Sequence, residues 1–329
     1  MEITAGGRLE IRITPADVGK RVSVRRVERG SAGGPSFTDT VGVLTSWNAG
    51  VVTITRKTGE SVRIAESSLV AGKVVPAAPA RRRGPAASFE ELAGVCARAW
   101  VPLESEPLGE WTLRAAGGFT RRANSVLPLG DPGTPLDDAL ARVTSWYARR
   151  GLPAYVQTST GAAGTQELLC AELEDRGWIR EVSADVQVGG LAAVGDLDVD
   201  DSLVAGVRLT REPDEDWLSR YGRVKDPATA RRVLTEGPSV WFAAVPGQAI
   251  GRLVVDGRWA GFAAVEVDPE HRRRGLASAV MAALARRALE EGASAAWLQV
   301  ERDNTAARAL YDGMGFGVHH SYHHYRATA

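Results

Sequence analysis

The chain has 329 residues, with 40 Lys plus Arg balancing 40 Asp plus Glu for a formal net charge of +0, so no global basic excess argues for a nucleic-acid binder. Hydrophobic residues at 44% and charged residues at 24% are the proportions of a soluble globular protein, and this length implies two or three domains with separate cores. No long apolar run or secretory signal is present, and Cys96 and Cys170 sit in apolar helical stretches, so we expect a cytoplasmic protein with buried, reduced thiols.

In chain order, residues 1–76 alternate β-branched and polar side chains in short runs at 21–25, 41–44, 51–55 and 61–64, with turns at Asn48-Ala49-Gly50 and Thr58-Gly59-Glu60. Short period-two runs broken by glycine predict a small SH3-like β-barrel. Such a barrel either recruits a partner through its loops or packs only on its own chain. Residues 77–87, rich in alanine and proline around Arg81-Arg82-Arg83, read as a linker.

From Ser88 the pattern turns helical. Ser88-Phe89-Glu90-Glu91 has the form of a capping box and leads into Leu92, Val95, Cys96 and Ala99. Strands near 110–113 and 122–127 follow, then a helix over 135–150, a strand at 154–157 and a helix ending before Gly177-Trp178. The same order recurs downstream, so residues 88–190 read as the first of two related units. Its turn, Pro128-Leu129-Gly130-Asp131-Pro132-Gly133, carries an acid and a residue without an N–H, which makes a poor anion cradle. This unit is expected to supply structure and a substrate wall, with Asn124 and Ser125 satisfying strand-end backbone.

In the second unit an apolar strand ends at Val267-Asp268-Pro269 and gives way to Arg272-Arg273-Arg274-Gly275-Leu276-Ala277, which opens a helix with Leu276, Val280, Leu284 and Ala288 on one face and a stop at Gly292. First-turn N–H groups lack intrahelical partners and the helix dipole adds positive charge, so this is an anion site; Gly275 lets the backbone approach a ligand. The arginine run either adds charge to that site or is a solvated patch. A second strand at 295–300 precedes Asn304, Ala307, Leu310, Tyr311, Gly315 and Phe316, and the spacing of Asn304 and Tyr311 puts both on one helix face.

In order and spacing these two segments resemble the GNAT superfamily of acyl-CoA-dependent N-acetyltransferases. The family's Arg/Gln-x-x-Gly-x-Gly/Ala turn is matched by Arg272, Gly275 and Ala277, and its Asn-x-x-Ala-x-x-Leu-Tyr-x-x-x-Gly-Phe segment by Asn304 through Phe316. The resemblance implies an α/β (α+β) GNAT fold with a mixed central sheet and splayed strands. The expected organisation is an SH3-like barrel over 1–76, a linker over 77–87, a degenerate GNAT-like unit over 88–190 and a catalytic unit over 191–329. The arrangement is similar to actinobacterial GNAT proteins with an SH3-like N-terminal domain, one of them, mycobacterial, described as a histone acetyltransferase.

What the resemblance implies about chemistry follows residue by residue. Acetyl-CoA is the co-substrate and no metal is required. Its pyrophosphate would sit on Arg272, Arg273, Arg274, Gly275, Leu276, Ala277 and Ser278, and its pantetheine arm along the backbone of Val265 and Val267 beside Asn304 and Ala307. An oxyanion would rest on a backbone N–H near Val267, where family members have a bulged strand. Tyr311 is either the acid that protonates the departing thiolate or a core aromatic, and Asn304 either a pantetheine ligand or an ordinary N-cap.

The general base is where the chain departs from the family. Many relatives have Glu at the position aligned with Gly261, and glycine accepts no proton. Glu266 is the named candidate, although strict alternation puts it on the face opposite Gly261 and Val265; Glu301 and ordered water are the alternatives. His319, His320, His323 and His324 fall on one predicted strand, where alternation splits neighbours onto two faces; a substrate-lining His base is a better reading than metal.

The acceptor pocket is expected near Asp214-Glu215-Asp216-Trp217 through Tyr221, an acidic run that either attracts a cationic amine or starts a solvated helix. The leading function is N-acetylation of a primary amine, small molecule or protein lysine, without a membrane partner. A version in which the lysine belongs to a nucleoid protein has the barrel or the Arg81-Arg82-Arg83 linker touching DNA. The reading from another class is a non-catalytic acyl-CoA-binding regulator or scaffold with a recruiting barrel.

Overall fold

The computed structural model describes residues 10–29, 35–76 and 84–328. The chain divides into two compact units, 1–80 with Thr158–Trp178 and 81–157 with Ile179–Ala329. Residues 158–178 therefore group apart from the rest of the 88–190 segment drawn from the sequence. Residues 77–83, with Arg81-Arg82-Arg83, lie outside the described residues.

In the first unit β1 (Arg21–Arg29), β2 (Pro35–Asn48), β3 (Val51–Thr55), β4 (Ser61–Ala65) and β5 (Leu69–Val74) form an antiparallel sheet in the order β4-β3-β2-β1-β5. Alternation collects Val22, Val24, Leu44, Val52, Ile54, Ile64 and Leu69 into one core. The long β2 pairs with both β1 and β3, with a register shift between Leu44 and Ser46. A 3-10 turn, Glu66–Ser68, carries the chain to the free edge of β1, where β5 pairs. The strands were legible, but among the described residues β4 and β5 do not pair with each other, and β5 takes a bridge from Ile11 instead, so the sheet is open where a small barrel was expected. Later chain completes this unit: Glu174 accepts a 2.9 Å hydrogen bond from Ser61 and Thr160 donates to the Lys57 carbonyl at 3.0 Å.

The second unit begins with α1 (Phe89–Arg98), a three-stranded sheet of β6 (Glu104–Leu108), β7 (Trp111–Ala115) and β8 (Leu127–Pro128), and α2 (Leu136–Ala148). Ser88 does cap α1, accepting from the Glu91 N–H at 3.1 Å, but Glu91 turns away to Arg258 and Trp259, so the predicted box does not close. The strand expected over 122–127 is mostly turn, because Arg121–Ala123 is 3-10 and Asn124 uses its amide on the backbone of Ala116, Gly118, Phe119 and Thr120.

After β9 (Tyr155–Thr160) and α3 (Glu167–Asp175) come β10 (Ile179–Gly190), the short helices α4 (Leu191–Gly195) and α5 (Asp201–Ala205), β11 (Arg208–Thr210), α6 (Glu215–Arg220) and α7 (Pro227–Thr235). The remaining elements are β12 (Ser239–Val245), β13 (Ala249–Asp256), β14 (Trp259–Val267), α8 (Leu276–Glu290), β15 (Ala295–Glu301), α9 (Thr305–Gly313) and β16 (Gly317–Arg326). They build an eight-stranded mixed sheet, β11-β12-β13-β14-β15-β10-β16-β9, in which β14 and β15 are parallel. Strand β10, which the sequence reading did not delimit, lies antiparallel to both β15 and β16.

One sheet face packs Ala260, Phe262, Leu298 and Val300 against the alanine-rich face of α8; the other packs Trp259, Trp297, Ala184 and Val186 with residues of α1, α6 and α7. Arg252 of β13 is fully buried on the second face. It donates to the carbonyls of Leu234 (2.8 Å), Ala99 (3.0 Å) and Glu236 (3.2 Å), gathering the C-terminal ends of α7 and α1, where a cation complements the helix dipole. Burial lowers its pKa to about 10, so it stays charged at neutral pH. Arg252→Met should leave three carbonyls unpaired and cost on the order of 3–5 kcal/mol in a urea unfolding titration. An unchanged midpoint would mean that water or other donors replace it. No helix among the described residues is long and apolar enough to cross a membrane.

Candidate active site

Strands β14 and β15 pair only from Trp259↔Ala295 to Phe262↔Leu298, then part, although β14 runs on to Val267 and β15 to Glu301. The splay coincides with a bulge. Between Ile250 and Arg252 the β13–β14 register slips by one residue, so Ala264 and Val265 together oppose Gly251, and Ala264 takes a left-handed φ of 52°. The expected bulge is thus at Ala264, a few residues before Val267.

The splay exposes backbone. Asp268 donates its N–H to Gln248 beside β13, and a strand's backbone polar groups alternate sides, so the N–H and C=O of Val267 face the gap that β15 has left. The Arg272 guanidinium, 3.4 Å from the Val267 carbonyl, lies on that side. A cleft of about 770 Å³ follows the gap. Its walls include Val265, Val267, Arg272, Asn304, Ala307 and Tyr311 from one half of the sheet opening, and Trp100, Arg122, Tyr221, Glu266 and Trp297 from the other.

The glycine turn has two left-handed residues, Arg273 (φ 60°) and Gly275 (φ 79°), and Gly275 is the N-cap of α8. Leu276, Ala277 and Ser278 form the first helical turn, so their N–H groups lack intrahelical acceptors. The Leu276 side chain itself is core, so it can offer the turn only its backbone. Arg273 and Arg274 are exposed at the turn and do not line the cleft.

Asn304 caps α9, accepting from the Ala307 N–H at 3.1 Å, and lines the cleft as well. Tyr311, 9% exposed, reaches the same wall, and burial pushes its pKa up to about 12, which keeps the phenol protonated.

The bulge reverses the expectation for Glu266. The extra residue shifts the alternation, so Ala260, Phe262, Val265 and Val267 share the α8 face, whereas Trp259, Ala263 and Ala264 pack on the other. Glu266 falls on this second face with Gly261, the position from which strict alternation had excluded it. Gly261 cannot be replaced in kind: a Cβ there would lie 2.3 Å from the Trp297 ring, which fills the place of a glutamate side chain. Glu266 is half-buried; burial raises its pKa, while the Gly222 N–H (3.4 Å) and Arg223 act in the opposite direction. Glu301 is neutralised by Arg223 at 3.0 Å.

The acidic run is not a cation trap. Asp214 caps α6 and pairs with Arg208, Glu215 pairs with Arg231 and Asp216 with Arg220; from this region Ser219, Arg220, Tyr221 and Arg223 reach the cleft.

The histidines are structural. Their strand brings Nδ1 of His319 to 2.9 Å from Nδ1 of His320 and His323 to 2.8 Å from Ser183, and His324 packs edge-on to Tyr155 and Tyr322. Burial lowers His320 and His323 to about 3, and none of the four lines the cleft, so the histidine base is set aside. Among the described residues no group of three or more His, Cys, Asp or Glu could hold a metal ion.

Sequence reasoning missed Trp297, Trp100 and Arg122. Gly261 held the one available signal, since an interior strand glycine marks a bulge or a close approach.

Residues 87–325 match the family described as "Probable histone acetyltransferase Rv0428c C-terminal". The chain is 28% identical over 309 residues, 92% of its own length and 93% of the relative's, to the probable histone acetyltransferase Rv0428c of Mycobacterium tuberculosis. Among solved structures, a GCN5-related N-acetyltransferase from Kribbella flavida aligns with a TM-score of 0.55 at 16% identity, covering 74% of this chain and 97% of that one. A tandem GNAT protein from the clavulanic acid biosynthesis pathway aligns with a TM-score of 0.50 at 15% identity over 76% of this chain and 90% of that one. With the splayed strands, glycine turn and Asn-capped helix, these similarities place the chain in the Rv0428c C-terminal family of GNAT N-acetyltransferases.

Proposed function

We propose that the protein transfers an acetyl group from acetyl-CoA to a primary amine by direct attack in a ternary complex. The observation that carries this reading is the parting of β14 and β15 beside the first turn of α8, which offers strand backbone to an extended amide chain and helix N–H groups to a pyrophosphate. Arg272 adds a positive charge to the turn, and Asn304 and Ala307 border the pantetheine channel.

In the chemical step the amine nitrogen forms a bond to the acetyl carbon and the carbon–sulfur bond breaks. The amine proton passes to Glu266 and the Tyr311 hydroxyl proton to the thiolate. The backbone N–H of Val267 lies on the gap edge, where it can receive the developing oxyanion.

A base must be deprotonated to act, so turnover is low below the pKa of Glu266 and rises as pH climbs through it, with burial moving that limb upward from the ordinary carboxylate value. Glu266→Gln should lower kcat/KM by about 10²-fold and remove the limb. An unaltered pH profile would assign proton removal to water.

The non-catalytic scaffold reading rested on glycine at position 261, and Glu266 on the same face removes that argument. We further propose that residues 10–76 are an SH3-like module; the strand order and the 3-10 turn before β5 support this. The segments 88–190 and 191–329 are then a degenerate and a catalytic GNAT-like unit.

A further inference from the structure

The charged groups in the acceptor half of the cleft are not all ion-paired: Arg122 and Glu266 have no salt-bridge partner among the described residues. Arg223 pairs with Glu301, and Arg220 with Asp216 and Asp268. Arg122, which lines the same space half-buried, pairs with no carboxylate among the described residues. Its Nε donates to the Tyr322 hydroxyl at 3.0 Å and its guanidinium lies 5.4 Å from the Trp100 ring centre, so the side chain is fixed while its terminal N–H groups have no acceptor among the described residues. Arg252, 4.9 Å from the same ring, is held by the three helix-end carbonyls and does not line the cleft. Arg122 is thus a fixed cation in the cleft wall with no carboxylate of its own among the described residues, in surroundings that weaken screening.

Two more features point the same way. Trp297, 2% exposed and lining the cleft, has an indole N–H without a hydrogen-bond partner among the described residues. Tyr221, Arg122 and Glu266 line the same cleft, which places a cation and an anion in one cavity. A fixed guanidinium and a free indole N–H are donors for an oxyanion, and Glu266 is the acceptor for an ammonium or amine.

Resting on the acetyltransferase reading above, we propose that the acceptor is a small amino acid, an amine that carries its own carboxylate, with the carboxylate held by Arg122 and the amine presented to Glu266. Neither a polyamine nor a lysine side chain of a protein supplies the anion that this end of the cleft lacks.

The test is coenzyme A thiol release by the full chain at saturating acetyl-CoA, with amino acids and their matching carboxamides as acceptors, beside polyamines and a lysine-rich peptide. Acids should show a KM about tenfold or more below their amides, the worth of one charge-assisted hydrogen bond. In Arg122→Met the acid's KM should rise until the pair differs by less than about twofold, with the KM for acetyl-CoA unchanged, and Arg122→Lys should restore part of the difference. Thermal midpoints of both variants separate this from misfolding. Equal use of acids and amides by the wild type, or turnover of polyamines or the peptide alone, would overturn the proposal.

If no amine is turned over, calorimetry with N-acetylglycine and coenzyme A decides. Binding that Arg122→Met abolishes keeps the anion site and sinks the acetyltransferase reading, whereas absence of binding sinks both.

Discussion

Gly275→Asp is expected to abolish acetyl-CoA binding. Gly275 has a φ of 79° at the N-cap of α8, a conformation that costs an L-residue about 1–2 kcal/mol. Asp is normally a good N-cap, but from an extended backbone, so the left-handed geometry here withholds that benefit. The larger effect is electrostatic: a carboxylate about 5 Å from a pyrophosphate repels it by about 3 kcal/mol at an effective dielectric constant near 20. The dissociation constant should rise by at least about 10²-fold in a calorimetric titration. Gly275→Ala shares the backbone strain without the charge and should bind within about tenfold of wild type. Equal affinities for the two variants would refute an anion at this turn.

Tyr311→Phe is expected to lower kcat by about 10²–10³-fold while the affinity for acetyl-CoA stays within about twofold. The ring sits in the core wall, and phenylalanine preserves its packing against Phe316. With its pKa near 12, the phenol remains protonated through the working range, so the wild-type profile should show no alkaline fall from loss of this acid below about pH 11. Parallel losses of binding and turnover would make Tyr311 a structural residue.

What could be read in the sequence was what lies close together in it. The turn from Arg272 to Ser278 and the helix from Asn304 to Tyr311 are local arrangements, fixed by a glycine, a cap and helical spacing, and the fold brings both beside one cleft. Glu266 was misassigned because a single bulged residue reverses every later side chain, and Ala264, which takes the left-handed φ, carries no mark of it. Arg122 and Trp100 reach the site from the other end of the unit, and no short-range pattern connects them to β14. The N-terminal strands were visible as alternation, but closure depends on whether β4 and β5 meet, which alternation does not encode.

The position of β10 sets the order in which the molecule can be assembled. Made on the ribosome before either neighbour, β10 emerges with two unpaired edges and waits through more than a hundred residues before Ala295–Glu301 and Gly317–Arg326 arrive to flank it. During that interval it is an adhesive surface, and folding of the sheet is governed by long loop closures, which makes it slow. The same threading means that a gene fragment starting at residue 191 would encode a sheet with a gap between β15 and β16. The segment before residue 191 is therefore tied to the rest of the sheet through the strand it lends.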